Sequence, residues 1–406
     1  MMKRIVLMAL GLILVLPAPA QRLRVAFVGD PQVDNETELT YARRSVYQEL
    51  RKRQDVDLAI FLGDLVNDNP SLLPPTRAIL DSLPYNWACV PGNHDRDVYT
   101  PSVKGKPRDM ASYSRIIHTP DTAFVQGGVQ FIMMDDVLLT GGSAGYWGGF
   151  RDDQKQWLRK VLDQTPQNRL AVLCAHIPFN EFKSLDSLET ILSVHPKLLL
   201  VCGHTHTMAR HTLRFPGGLE VEEVLAGAAC GSWWRGRADL YGVPVATQNC
   251  GSPRSYYLAD FSRGCSYRLD AKVIGASAEE KASAWIADTT RLLVNVYAGS
   301  MEGSVQVKLP GRCGWIALER VEEPAPEVYE TQQFNKSLVG RQSRNPLFIP
   351  MLGRPSPHLW GVKLPAGSLT PGGQVKIRYK DASMRFTTTA ALQVSPGPQS
   401  RRRLKK

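Results

Sequence analysis

Apolar residues fall along this chain in short runs, and polar residues of a few repeated types stand just past several of those runs. The runs 23–28, 58–62, 88–90, 129–134, 170–175 and 198–202 read as buried strands. Between them lie amphipathic stretches at 41–53, 76–82 and 152–162. In the last of these Asp152 stands as an N-cap, and Trp157, Leu158 and Val161 recur at helical spacing. Alternating strands and helices predict a layered α/β domain with substantial parallel pairing. After about residue 277 the character changes. The runs 292–297, 304–309, 314–318, 360–363, 375–379 and 384–390 are short and rich in Val, Ile, Thr and aromatics. Gly and Pro punctuate them, as in Pro324-Ala325-Pro326 and Pro371-Gly372-Gly373. That spacing predicts a small all-β sandwich. The expected organisation is a removable segment 1–20, an α/β domain 21–277, a β-sandwich 278–395 and a disordered end 396–406.

The ends of the chain change how its charge is read. Lys3 and Arg4 precede an apolar run from Ile5 to Leu16, and Ala18-Pro19-Ala20 offers small residues for cleavage before Gln21. This is the pattern of a secretory signal peptide, too short for a comfortable membrane span. No later stretch is apolar enough to cross a bilayer, so the expected address is periplasmic or secreted. The formal charge of +11 includes the two charges of Lys3 and Arg4 and five from the tail 401–406, which leaves +4 for the body. A mildly basic body gives no clear nucleic-acid signal and suits a small anionic partner only weakly. Cysteine usage is indecisive. Cys89, Cys174 and Cys202 sit in apolar runs and read as buried small hydrophobes. Cys230, Cys250 and Cys265 are close enough in sequence to include one disulfide.

The polar residues past the strands carry the chemistry. Asp30 and Gln32 follow the first run, Asp64 the second, and Asn93 the third, within Gly92-Asn93-His94-Asp95. His176 follows the fifth run, and His204 and His206 the sixth, within Gly203-His204-Thr205-His206. Parallel α/β sheets gather their chemistry at the carboxyl ends of strands. Two carboxylates, two amides and three imidazoles form an O/N set without sulfur, suited to Mn, Fe, Zn or Ni. Seven donors are too many for one catalytic ion with an open position, and about right for two ions sharing a carboxylate.

In this order the residues resemble the calcineurin-like metallophosphoesterase superfamily. The usual first motif there is Asp-X-His, so Gln32 is a departure, similar to a branch in which Gln replaces that His. The resemblance implies that Asp30, Gln32, Asp64 and His206 hold one divalent ion. It also implies that Asp64, Asn93, His176 and His204 hold a second, with Asp64 shared. His94 would then face the phosphoryl oxygens or the leaving group, with Asp95 placed to orient it. The implied activity is hydrolysis of small anionic phosphoesters, monoester or diester, by a hydroxide bridging two ions of Mn, Fe, Zn or Mg. An amide oxygen is a weaker donor than imidazole, which shifts the first set toward harder ions. The region from Ala228 onward, with Cys230-Gly231-Ser232-Trp233-Trp234 and Ser356-Pro357-His358, resembles the C-terminal part of exported Bacteroidetes-type relatives. That likeness implies an appended immunoglobulin-like domain.

Two Gly-rich aromatic loops are candidates for substrate contact: 145–150 and Gly231 to Arg237. In the second, Trp233 and Trp234 either meet substrate or pack the domain interface, and Arg235 or Arg237 can receive an anionic group. Asp135 and Asp136 either support the site from behind or cap the following turn. A rival to the enzyme reading is an exported metal- or anion-binding protein in which Gln32 has cost the first ion; His94 argues against it, because a binding module needs no proton donor.

Overall fold

Alternation along the first strand decides the layering: Val25 and Phe27 face one side, Ala26 and Val28 the other, and all four are fully buried. A computed structural model describes residues 22–97, 110–139, 145–262, 266–340 and 345–397. The expected signal peptide, Cys265 and the basic tail lie outside these. In chain order the first part contains β1 (Arg22–Val28), α1 (Glu36–Ala42), α2 (Gln48–Lys52), β2 (Leu58–Leu62), α3 (Leu73–Leu80), β3 (Asn86–Val90), α4 (Ala111–Ile116), β4 (Thr122–Gln126) and β5 (Val129–Met133). There follow β6 (Val137–Leu139), β7 (Tyr146–Gly148), α5 (Asp152–Gln164), β8 (Ala171–Cys174), α6 (Leu185–Leu192) and β9 (Leu198–Cys202). The part closes with β10 (Met208–Arg214), β11 (Glu220–Ala226), β12 (Ser255–Ser262) and β13 (Ser266–Val273).

Two sheets stack face to face. One has the order β13-β12-β1-β2-β3, the other β10-β11-β9-β8-β5-β4. Parallel pairing joins β1 to β2 and β2 to β3, and likewise β5, β8, β9 and β11. Inward residues such as Phe27, Ile60, Phe131, Val172 and Val201 fill the space between the sheets. The outer face of the first sheet carries α1 to α3 and the π-helical turn Arg43–Tyr47 between the first two, through Leu39, Val46, Leu50 and Leu80. The outer face of the second carries α5 and α6, through Leu158, Leu162, Leu188 and Leu192. The layered α/β core is therefore observed. Helix α1 starts where Asn35 accepts a hydrogen bond from Glu38 N at 3.1 Å. Helix α5 begins at Asp152 itself, which is not the cap: Arg151 has the extended backbone, and Gln154 Oε1 accepts from Arg151 N at 2.9 Å.

The C-terminal part contains β14 (Ala282–Ala287), β15 (Arg291–Val296), β16 (Ser304–Lys308), β17 (Ile316–Arg320), α7 (Pro326–Ser337), β18 (Leu359–Lys363), β19 (Gln374–Lys380) and β20 (Arg385–Val394). Its seven strands pair around a closed barrel, β14-β15-β18-β17-β16-β19-β20. An all-β domain is thus present, and its edges are joined instead of left open: β14 pairs with β20 and β17 with β18. Arg210, on β10, locks the barrel against the second sheet. Its fully buried guanidinium donates to Glu222 Oε1 at 3.0 Å, Ser383 Oγ at 2.6 Å and Ala298 O at 3.0 Å, and it pairs with Asp381. Removing one acceptor would strand a buried charge, at a cost of about 3–5 kcal/mol. No described helix is long and apolar enough to cross a membrane.

Candidate metal centre

Past β1, β2 and β9 the chain turns through backbone space that side chains avoid. Asp30, Gln32, Asp64, Asp68, His204 and His206 all have positive φ, between 39° and 72°. Strain of this kind persists only where the surroundings hold it. Here the loops are stitched together: Gln32 N donates to Asp64 O at 2.8 Å, Gly203 N to His176 O at 3.0 Å, and Cys230 N to Asp30 O at 3.2 Å. Close approach also explains two glycines. A Cβ on Gly203 would lie 2.6 Å from Asp30 Oδ2, and one on Gly92 would collide with the Asp64 carboxylate.

The loops bring the seven candidate ligands into one cluster. Asp64, His176 and His204 offer atoms that all lie within 4.8 Å of one another. Asn93 Oδ1 is 3.0 Å from His176 Nε2, and His204 Nδ1 is 3.1 Å from the same nitrogen. Gln32 Nε2 is 3.5 Å from Asp64 Oδ2, and His206 Nε2 is 3.8 Å from Asp30 Oδ1. The second nitrogens of His176 and His206 are anchored. His176 Nδ1 meets Leu62 O at 2.8 Å, and His206 Nδ1 meets Ser232 O at 2.9 Å. Those anchors aim both Nε2 atoms at the cluster.

The donor set fits divalent cations. Asp30 and Asp64 are both buried, and burial pushes the Asp30 carboxyl well above its ordinary range. Two buried carboxylates need compensating positive charge. Burial and the neighbouring His176 push His204 down to about 3, so its imidazole is a neutral lone-pair donor. Burial likewise lowers His206. His176 is pulled up to about 10, against burial, by Asp64, Asp30 and Asp136; a cation at its Nε2 would replace that proton's charge.

His94 sits at the rim, and its partner is Asp68. His94 Nδ1 is 2.9 Å from Asp68 Oδ1, while His94 N donates to Asp64 Oδ1 at 2.9 Å. Burial opposes charge on the ring, but the Asp68 hydrogen bond and the Asp64 carboxylate raise it to about 9. The expectation that Asp95 orients His94 is corrected. Asp95 is fully buried, and its carboxylate accepts from Val66 N at 3.0 Å and Gly92 N at 2.9 Å. It shapes the turn that carries Asn93 and does not reach the imidazole.

Residues 23–208 match the family model described as calcineurin-like phosphoesterase, and residues 223–385 match the model of the C terminal of calcineurin-like phosphoesterase. The chain belongs to the calcineurin-like phosphoesterases. It is a metal-dependent phosphoesterase in the general sense of that family, which takes divalent ions and small phosphoester substrates. No curated protein matches the chain.

Gln32 stands where calcineurin-like phosphoesterases usually have His. Its amide nitrogen faces Asp64 and Asn67, the latter at 3.3 Å, and its oxygen faces Cys230 Sγ at 4.0 Å. A half-turn about the last torsion exchanges oxygen and nitrogen and puts Oε1 on the cluster. If that oxygen ligates, Gln32→His should tighten zinc at one of two sites, and Gln32→Ala should empty that site while the other stays filled. Competitive metal titration of the three proteins checks this; equal affinities would remove Gln32 from the ligand set.

The proposed substrate contacts separate. Trp234 is 4% exposed, and its indole N–H donates to Pro31 O at 2.7 Å. It props the loop between Asp30 and Gln32 from beneath and cannot meet substrate. Trp233 is half-buried, with its ring 5.6 Å from that of His206. Arg237 lies over the Phe334 ring of α7 at 4.6 Å, and Arg235 lies in the field of Glu38. Tyr146, on β7, brings its ring 5.9 Å from that of His204. Asp136 supports the site from behind, accepting from His176 N at 3.2 Å and Ile177 N at 2.8 Å. Asp135 caps the turn at Val137 N, at 3.1 Å, and pairs with Arg96. Asp68 carries no sequence signal, because only the backbone turn at positive φ swings it back to His94. Cys230 and Cys250 are buried free thiols, so the possible disulfide between them does not form.

Proposed function

We propose that this protein is an exported hydrolase of small phosphoesters that works with two divalent ions, drawn from Mn, Fe, Zn or Mg. Asp30, Gln32, Asp64 and His206 would hold one ion, and Asp64, Asn93, His176 and His204 the other. Such a pair of ions, when bound, acidifies water and offsets charge on the phosphoryl oxygens. The observation that supports the reading is the cluster around Asp64, whose carboxylate lies near both His176 and Gln32.

The chain's own residues supply orientation and a proton. Leu62 O and Ser232 O fix the imidazole planes of His176 and His206. Asp68 holds the His94 Nδ1 proton, which leaves Nε2 without a hydrogen bond among the described residues. A protonated His94 can donate from Nε2 to the departing alkoxide or stabilise a phosphoryl oxygen. The export part of the proposal rests on Lys3, Arg4 and the apolar run that follows.

Metal analysis of the purified protein, with turnover of 4-nitrophenyl phosphate and bis(4-nitrophenyl) phosphate, tests the proposal. About two equivalents of divalent metal are expected. Activity should be lost on chelation and restored by metal. A protein that binds metal but hydrolyses neither ester would be the binding protein of the rival reading.

A further inference from the structure

A groove of about 460 Å³ runs from the metal loops to the C-terminal barrel. One end is Thr205, the residue between His204 and His206. From there the floor follows Thr207 and Ala209 into β10. Asn180, in the short turn of helix Phe179–Glu181 that follows His176, lines it as well. His211, Thr212 and Arg214 of β10 continue it, and the opposite wall comes from the C-terminal part, with Met301, Glu302 and the segment Arg354-Pro355. The groove therefore lies between the second sheet and the C-terminal part, and it begins at the loop of the metal centre.

Its cations are not equivalent. Arg214 pairs with Glu220 at 3.0 Å, and His211 with Glu223 at 2.9 Å. Arg354 is exposed and forms no ion pair or hydrogen bond among the described residues, although it lies in the field of Glu181. Its segment is braced to the metal loop through Asn249. That residue donates from Nδ2 to Thr205 O at 3.2 Å and from N to His206 O at 2.8 Å, and it accepts from Leu352 N at 3.4 Å. An uncommitted guanidinium is thus tethered to the loop that carries two candidate ligands. The groove has the volume of a small-molecule site, and guanidinium matches carboxylate and phosphate through paired N–H groups.

We propose that the groove receives the arm of a phosphodiester beyond its scissile phosphoryl group, and that Arg354 binds a second anionic group on that arm. This rests on the phosphoesterase reading above and narrows it to diesters with an anionic arm. Arg354 is a specificity residue here, acting on binding and not on the bond that breaks.

The test uses the metal-loaded full chain and 4-nitrophenyl phosphodiesters whose second arm is a length series of carboxyalkyl groups, each with its alkyl match. The leaving group is constant, so only the arm is read. At the best length the wild type should prefer carboxyalkyl over alkyl by about tenfold in kcat/KM, through KM. The preference should fall to about one in Arg354→Ala and reverse in Arg354→Glu. No preference in the wild type at any length, or a preference kept in Arg354→Glu, would overturn the proposal. Turnover of 4-nitrophenyl phosphate but of no diester would overturn it while leaving the phosphoesterase reading intact. No turnover of any ester would remove that reading and this inference together.

Discussion

Asp64→Asn is expected to lower kcat/KM on the order of a thousandfold and to release metal from both halves of the centre at once. Asp64 is the residue the two candidate ligand sets share. Its Oδ1 accepts from His94 N at 2.9 Å, and its Oδ2 lies 3.3 Å from His176 Nε2 and 3.5 Å from Gln32 Nε2. Burial alone would favour the neutral acid, yet His176 and His94 hold the carboxyl well below its ordinary range. Asparagine keeps the shape and loses that charge, and one of its two positions must now turn an N–H toward a group that is itself a donor. The contrast with Asp30→Asn is the useful part. Asp30 stands in only one of the two proposed ligand sets, with Oδ1 3.8 Å from His206 Nε2 and its carboxylate accepting from His204 N at 3.0 Å, so its loss should remove about one equivalent of metal and Asp64→Asn both. Elemental analysis beside turnover decides it. Thermal melts with and without metal separate this from misfolding, because a ligand adds stability only where it binds. The metal-dependent rise in Tm should vanish in Asp64→Asn while the metal-free Tm holds. Two tightly held equivalents with full turnover would end the case for a shared carboxylate.

The layered core and the gathering of candidate ligands at its strand ends were legible because the same residues obey two rules together. The runs 58–62 and 198–202 coincide with β2 and β9, and the polar residues beyond them sit in the loops that the parallel strands align. What failed to show has physical reasons. β10 and β11 carry Arg210, His211, Glu222 and Glu223, whose charges break the apolar pattern; burial of Arg210 and Glu223 is made tolerable by partners distant in sequence or on the paired strand. Helix α7 lies within the part that reads as all β. Its buried residues include Glu327, Thr331 and Asn335, so no apolar stripe marks it, and Ser283 and Trp285 of the barrel donate to Glu327 Oε1. Closure of the barrel depends on β14 meeting β20, a pairing across the whole domain that local pattern does not encode. At the site, sequence adjacency favoured Asp95 as the partner of His94. The turn through Asp68 at φ 57° gives that place to a carboxylate many residues earlier, and the Asp95 carboxylate is spent on two backbone N–H groups.

His94→Ala should leave metal content unchanged and lower turnover by about 10²–10⁴-fold for esters with poor leaving groups, much less for 4-nitrophenyl esters. A 4-nitrophenoxide departs without a proton, whereas an alkoxide does not, so a proton donor is felt only by the second. The ring makes its hydrogen bond to Asp68 through Nδ1, and Nε2 is the atom left to donate. Asp68→Asn should therefore copy the leaving-group pattern of His94→Ala in weaker form, because Asp68 acts through the ring. Asp95→Asn should not copy it, since that carboxylate holds a turn. The pH dependence gives an independent check. A group acting as an acid must be protonated, so alkyl ester hydrolysis should fall as pH rises through the His94 value. Burial lowers that value and Asp68 raises it, to a net of about 9. Without the Asp68 carboxylate the raising influence is lost, and the alkaline limb should move to lower pH. Positive charge from bound cations draws both limbs down alike, so the difference between wild type and Asp68→Asn is the diagnostic quantity. Profiles of kcat/KM for an alkyl ester in the two proteins measure it. Superimposed alkaline limbs, together with equal losses for alkyl and 4-nitrophenyl esters in His94→Ala, would reassign His94 to stabilising the phosphoryl oxygens, where its charge serves every leaving group equally.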